Sequence, residues 1–127
     1  MRKQIGTGSV WEDAIGYSRA VKVGNIIEVA GTTSMDGDTI VGKDDVYEQT
    51  VFILKKIEKS LVELGSSLQD VVRTRMFVTD IYQWESIGKA HGEFFSDIKP
   101  VSTMVEVKSL IIPELLIEIE VTAIMEA

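Results

Sequence analysis

Hydrophobic and polar positions first alternate in the pattern of a β-hairpin. Two runs of apolar or β-branched residues, 18–23 and 25–32, meet at the turn dipeptide Gly24-Asn25. A second turn pair, Asp36-Gly37, leads into a short predicted strand over residues 39–41.

Two later segments instead repeat their apolar residues every three or four positions, which predicts helices. The first begins after Asp44 or Asp45, either of which can cap it, and ends before Gly65. Its apolar face consists of Tyr47, Val51, Leu54, Ile57, Leu61 and Leu64. The second helix is capped by Asp80 and ends before Pro100. Its stripe consists of Trp84, Ile87, His91, Phe94 and Phe95.

Three further strands are predicted over residues 71–79, 101–107 and 115–123. The order hairpin, helix, strand, helix, strand pair predicts a small α+β or α/β sheet. Two helices cover only one face of such a sheet, and the other face still carries apolar residues. We therefore expect copies of the chain to bury that face against one another in a homo-oligomer.

Composition narrows the class of protein. A length of 127 residues predicts one domain, 1–127, and 45% hydrophobic with 26% charged residues is typical of a globular chain. The formal net charge of −7 makes nucleic acid an unlikely partner. The absence of cysteine excludes disulfides, thiolate nucleophiles and cysteine-based metal sites. No signal-like segment or membrane span is found in the sequence, so we expect a cytoplasmic protein with no membrane partner.

Carboxylates on the last strand are the first candidates for chemistry. A period of two places Glu118 and Glu120 on one face, while the preceding strand groups Ser102, Met104 and Glu106. If these strands are antiparallel neighbours, the two sets could line one surface, where a shielded glutamate could act as a general base. The alternative is a half-solvated face without chemistry.

Other candidates have simpler interpretations. His91 is the only histidine, and its place in an apolar stripe favours a packed or interfacial role. The segment 6–9 is interpreted as a flexible terminus rather than a phosphate-binding loop, and 36–38 as a turn rather than a calcium loop. No metal site is predicted. Tyr17 could lend its phenol to a pocket or simply pack.

Several segments, taken in order, resemble the RidA family, also called YjgF-like or endoribonuclease L-PSP proteins. They are VVRTRMFVTD at 71–80, AHGEFF at 90–95 and IEIE at 117–120, with Gly16-Tyr17, 23–25 and 29–31 upstream. The resemblance covers about residues 11–123. It implies a chorismate-mutase-like α+β fold, with one mixed sheet and two helices on one face. It also implies a homotrimer with three clefts between subunits, in agreement with the oligomer expected above.

The same resemblance implies an activity and a set of site residues. Active members are hydrolases that deaminate reactive imines and enamines, such as 2-iminobutanoate, without metal or organic cofactor. The implied catalytic residues are Glu118, which would orient or deprotonate water, and Tyr17, with Gly31 lining the cleft.

Some positions depart from the family pattern. Ser102 stands where the family has an arginine that holds a substrate carboxylate, and a short neutral hydroxyl cannot form that planar fork. Met104 replaces Cys or Thr, Ala30 replaces Ser, and Gly88 replaces an Asn that borders the cleft. Arg75 is either a substitute cation or a surface or interface arginine. Trp84 either lines the cleft or packs the second helix against the sheet.

Three functions follow as hypotheses. The first is a hydrolase of imines, enamines or a related reactive metabolite, whose substrate lacks a carboxylate because of Ser102. The second is a trimeric small-molecule binding or regulatory module without chemistry. The third is a ribonuclease, which the acidic balance makes the least favoured.

Overall fold

The computed structural model describes residues 1–126, which form eight strands and three α-helices. The strands are Arg2–Ile5 (β1), Ala20–Val23 (β2), Ile26–Thr32 (β3), Met35–Asp36 (β4), Thr39–Ile40 (β5), Val71–Val78 (β6), Val101–Glu106 (β7) and Ile117–Ile124 (β8). The helices are Val10–Ile15 (α1), Val46–Glu63 (α2) and Trp84–Phe95 (α3), with single 3-10 turns at Leu68–Asp70 and Ile81–Gln83. None of these helices is long and apolar enough to cross a membrane.

Six strands form one mixed sheet in the order β1-β2-β3-β8-β6-β7. Every pair is antiparallel except β6 with β7, which run parallel. The prediction of an α+β fold with two helices on one face of a mixed sheet is confirmed. The expectation that the last two strands are neighbours is wrong, because β6 lies between β7 and β8.

Local capping signals explain where α2 begins and ends. Asp45 is the N-cap, since its carboxylate accepts the Glu48 backbone N–H at 3.0 Å, while Asp44 adopts a left-handed φ of 62°. Gly65 follows the helix with a φ of 84°, which a glycine tolerates without strain. The predicted helix is therefore confirmed, and Asp45 rather than Asp44 caps it.

The core lies between α2, α3 and one face of the sheet. Its largest fully buried side chains include Ile53, Leu54, Ile57, Leu61, Ile87, Phe95, Ile117 and Ile119. The stripe predicted on α3 is only partly correct, because Trp84 at the start of the helix is 57% exposed. Asp80 caps the preceding 3-10 turn instead of α3 itself.

The opposite face of the sheet, here called the open face, is not covered by any helix in the described part of the chain. Register places apolar side chains there that are partly or largely exposed: Val23, Ile26, Phe77, Val101, Val105 and Ile124. An uncovered apolar face is the condition from which the homo-oligomer was expected, and the oligomer remains a prediction.

The N-terminal segment is ordered, so its interpretation as a flexible terminus is wrong. β1 pairs with β2, and Ser9 caps α1 by accepting the Trp11 backbone N–H. Glu12 is buried and accepts hydrogen bonds from the Thr7 backbone N–H at 3.0 Å and from the Thr7 hydroxyl at 2.7 Å. The spacing Ser9-x-x-Glu12 is that of a capping box, and this local signal could have predicted the helix.

Candidate active site

A glutamate over a glycine forms the centre of the site on the open face. Glu118 projects from β8, and a Cβ on Gly31 of β3 would collide with its Oε2 and lie 2.9 Å from its Cδ. The register of β3 against β8 shifts between Val29 and Thr32, so Gly31 lies in an irregular stretch of the pair. Glycine is required here by space, because only hydrogen leaves room for the carboxylate.

A buried arginine, Arg19, holds the backbone of Gly31 next to Glu118. Arg19 is only 7% exposed, and its Nη2 donates to the Gly31 carbonyl oxygen at 2.7 Å. Its guanidinium carbon also lies 6.0 Å from the centre of the Tyr17 ring, at the outer limit of a cation–π contact. Arg19 thus connects Gly31, Tyr17 and the neighbourhood of Glu118.

The electrostatics of Glu118 suit proton transfer. Burial raises the pKa of its carboxyl above 4.5, because the charged form loses hydration. The positive charge of Arg19 opposes that rise, whereas Glu120 adds to it. A carboxyl whose pKa is raised towards neutrality is a better general base or acid than a fully solvated one.

A cavity of about 470 Å³ opens on the same face beside this centre. Its lining includes Tyr17, Ala30, Arg75 and Glu120, but neither Glu118 nor Gly31. Three of the predicted site residues therefore meet at this cavity, next to Glu118 rather than around it.

Arg75 lies at the cavity with its charge paired to a carboxylate. Its Nη1 pairs with Glu120 Oε1 at 3.2 Å, and both side chains are more than a third exposed. It is a surface arginine in an ion pair, and it also lines the cavity. Because the Arg75 guanidinium is already paired with Glu120, an anion in the cavity would compete with that carboxylate for it.

The remaining predicted residues lie on the other face, at the edge strand β7. Ser102 is exposed, and its hydroxyl accepts a hydrogen bond from Thr74 Oγ1 at 2.8 Å. The same Thr74 oxygen lies 2.9 Å from Nε2 of His91 on α3. Burial lowers the pKa of His91, so the neutral imidazole is favoured. The packed histidine predicted from the sequence is thus the end of a polar chain that reaches Ser102.

Met104, Trp84 and Gly88 accompany Ser102 at this edge. Met104 is partly buried and packs against the core. Trp84 and Gly88 are exposed and lie four residues apart on α3, one turn of helix from each other and in line with His91. Trp84 is 57% exposed in the single chain, so it packs only partly against the rest of the subunit.

The single chain therefore divides the predicted site into two clusters on opposite faces of the sheet. Tyr17, Ala30, Gly31, Arg75 and Glu118 belong to the open face, and Ser102, Met104, Trp84 and Gly88 to the β7 edge. No group of three acidic or histidine side chains within residues 1–126 is arranged to hold a metal ion.

Sequence reasoning missed Arg19, which lies just before β2. Arginine is usually exposed, and its position in the pattern gave no indication that it would be 93% buried. The only available signal was that it stands beside Tyr17 and Ala20 at the start of an otherwise apolar strand.

Comparison with known proteins gives one consistent result. A family model described as endoribonuclease L-PSP matches residues 10–125. The RutC family protein of Pyrococcus horikoshii is 34% identical over 127 residues, covering 99% of this chain and 100% of that protein. A protein named 3-aminoacrylate deaminase RutC from Acinetobacter baylyi is 33% identical over 104 residues, covering 81% and 82% respectively.

A solved structure agrees with these sequence matches. A member of the YjgF family from Mycobacterium tuberculosis superposes with a TM-score of 0.91 at 46% identity, covering 98% of this chain and 100% of that one.

Proposed function

Because this chain belongs to the endoribonuclease L-PSP family, also called the RidA or YjgF family, we propose that it hydrolyses reactive imines or enamines of small metabolites. The products would be a carbonyl compound and ammonia. The observation that carries this proposal is the half-buried Glu118 carboxyl over Gly31, with Arg19 bonded to the Gly31 carbonyl beside it. The name of the Acinetobacter relative, a deaminase of 3-aminoacrylate, supports the same class of reaction.

Glu118 would act first as a base and then as an acid. Its carboxylate takes a proton from a water molecule as the water oxygen attacks the imine carbon, while the imine nitrogen takes a proton from solvent to give the carbinolamine. Protonated Glu118 then gives its proton to the amino nitrogen, the C–N bond breaks to release ammonia, and the hydroxyl proton passes to solvent as the carbonyl forms. An enamine enters the same path after protonation of its carbon to give the imine. The chain of Ser102, Thr74 and His91 offers no group close to Glu118 within one subunit.

A homotrimer would join the two clusters that one chain keeps apart. If the open face of one subunit packs beside the β7 edge of the next, Glu118 and Tyr17 would face Ser102 and Trp84 of a neighbouring copy. The exposed apolar side chains of the open face support such packing. The substrate cleft would then lie between subunits, as the family resemblance implies.

Ser102 directs the proposal towards substrates without a carboxylate. An arginine would hold a carboxylate by two charge-assisted hydrogen bonds, whereas Ser102 offers one neutral hydroxyl already bonded to Thr74. Neutral His91 adds no charge to that end of the chain of hydrogen bonds. A polar, uncharged group of the substrate therefore suits this position best.

The test is a turnover assay with imines generated in place by an amino-acid oxidase and trapped with semicarbazide. Imines with and without a carboxylate are compared for the parent, Glu118→Gln, Ser102→Arg and the matched control Glu120→Gln. We expect Glu118→Gln to lose at least about a hundredfold in kcat/KM, since general base catalysis contributes about 10²–10⁴-fold. Glu120→Gln should stay within a few fold, because its carboxylate pairs with Arg75 rather than lying over Gly31.

The same assay has a pH dependence of known sign. Glu118 must be ionised to act as a base, so kcat/KM falls as the pH drops through its pKa. Because burial raises that pKa, the acid limb should lie above 4.5 in the parent. Glu120→Gln should move the limb to lower pH, since Glu120 raises the pKa of Glu118.

Two results would replace the proposal, and a third would change its substrate. Ligand-dependent thermal stabilisation without turnover in any variant would favour the binding module. Salt-dependent RNA cleavage that survives Glu118→Gln would favour the ribonuclease. Activity on carboxylate-bearing imines in Ser102→Arg alone would show that the scaffold is competent but that the natural ligand differs.

A further inference from the structure

A second cavity, of about 310 Å³, lies on the side of the molecule that carries α2. It is bounded by the segment after β1, which contains Gly6 and Thr7, and by the second half of α2. Of the residues assigned to the proposed reaction, only Arg19, which supports Gly31, also lines this cavity.

The cavity concentrates positive charge in an acidic chain. Arg19, Lys56 and Lys59 line it together with a single carboxylate, Glu63. The formal net charge of the whole chain is −7, so a local excess of two positive charges is contrary to its overall balance. Among residues 1–126 the ion pair within 4.0 Å is that of Arg75 with Glu120. Within the described residues, therefore, none of the three cations of the cavity is ion-paired with a carboxylate.

Two of these cations are held close together despite their repulsion. Lys56 is half-buried, and its Nζ donates to the Met35 carbonyl oxygen at 3.0 Å, which restricts the position of the ammonium group. Burial and the charge of Arg19 both lower the pKa of Lys56. The charges of Asp36 and Glu12 oppose that effect, and hydrogen bonds from Thr7 hold the Glu12 carboxylate in place.

Arg19 adds a buried cation to this lining. Its side chain is 93% buried, and its Nη2 already donates to the Gly31 carbonyl oxygen at 2.7 Å. Its Nε–H is fully enclosed by protein, so Arg19 acts on the cavity through its positive charge.

We propose that this cavity binds a small anion that carries a phosphate group, either inorganic phosphate or a phosphorylated metabolite. A phosphate group is attracted by the three cations of the lining and can accept hydrogen bonds from donors on several sides. Lys56 and Lys59 line the cavity from α2, and Arg19 lines it from the residue before β2. The volume exceeds that of one phosphate, which leaves space for a short organic portion.

The experiment is a calorimetric titration at neutral pH and constant ionic strength, with inorganic phosphate and with glycerol 3-phosphate as probes. The parent is compared with Lys56→Gln, Lys59→Gln and the matched control Lys55→Gln, whose exposed side chain lies on the same helix outside the cavity. Amide chemical shifts of Gly6, Thr7 and Ser60, which line the cavity, locate the binding.

We expect saturable binding in the parent, a loss of about tenfold or more in Lys56→Gln, and a loss of a few fold in the more exposed Lys59→Gln. Lys55→Gln should change Kd by less than about twofold. Tighter binding of glycerol 3-phosphate than of phosphate would identify a phosphorylated metabolite, and equal binding would identify phosphate itself.

The proposal is overturned by non-saturable titration, by equal losses of affinity in Lys55→Gln and Lys59→Gln, or by a titration in which the amide shifts of Gly6, Thr7 and Ser60 do not change. Lys59→Gln keeps the test valid if Lys56→Gln fails to fold, because Lys59 makes no hydrogen bond in the described structure.

Discussion

At the scale of single residues, two glycines of this chain illustrate opposite requirements. Gly31 leaves space for the Glu118 carboxylate, whereas a Cβ on Gly88 of α3 would meet no atom within 4 Å. Both were singled out from the sequence by resemblance alone. Their different surroundings show that Gly31 is tied to the acid and that Gly88 carries only the conformational cost of glycine within a helix.

Alanine substitutions at these two sites should therefore act in opposite directions. Gly31→Ala should lower the free energy of unfolding by about 1–3 kcal/mol, because the new methyl group must displace Glu118. Imine turnover should fall with it. Gly88→Ala should raise the free energy of unfolding by about 0.5–1 kcal/mol, as expected for an exposed helical position. Urea unfolding measures both, and equal effects of the two substitutions would contradict the assigned role of Gly31.

At the scale of elements, local signals predicted those features that depend on neighbouring residues. The turn at Gly24-Asn25, the start of α2 and its end before Gly65 follow from turn and capping chemistry within a few positions. The insertion of β6 between β7 and β8 depends on pairing between distant segments. The alternation of apolar and polar residues along one strand does not indicate which other strands it pairs with. Alternation on the last strand singled out Glu118 together with Glu120, and the family resemblance chose Glu118 as the catalytic residue. Burial of Arg19 arises only when the sheet, Gly31 and Tyr17 come together.

The start of α2 provides a test between two adjacent aspartates. Asp45→Ala should cost about 1 kcal/mol of unfolding free energy, because it removes the acceptor of the Glu48 N–H. Asp44→Gly should cost little or stabilise the fold, since residue 44 has a φ of 62°, which glycine adopts freely. Thermal or urea unfolding of both variants is sufficient, and a larger loss in Asp44→Gly would reverse the assignment of the cap.

At the scale of the whole molecule, the uncovered apolar face is the feature that a single chain leaves unexplained. Its partly or largely exposed apolar residues come from five strands and include Val101 on the edge strand. Burial of such a surface in a trimer would remove it from water and would also bring the β7 edge to the face that carries Glu118.

The trimer predicts a particular response to charge on that face. Light scattering should give about three times 14.1 kDa, or about 42 kDa, for the parent. Val101→Asp, on the open face and 58% exposed, should shift the mass towards that of one chain. Val62→Asp introduces the same charge at a valine that is 60% exposed on α2, and it should leave the mass unchanged. A parent mass of 14.1 kDa would end the trimer hypothesis.

The central position of β8 has a consequence for how the chain folds. β8 pairs with β3 at Ile26 and Ile124 and with β6 on its other side, so it joins segments that are distant along the chain. Until it inserts, the β2–β3 hairpin and the β6–β7 pair are separate ribbons, each with an unsatisfied edge. Closing such long loops is slow and gives the fold a high contact order. We therefore expect all-or-none unfolding, and a brief folding intermediate whose two open edges are the places where aggregation would begin.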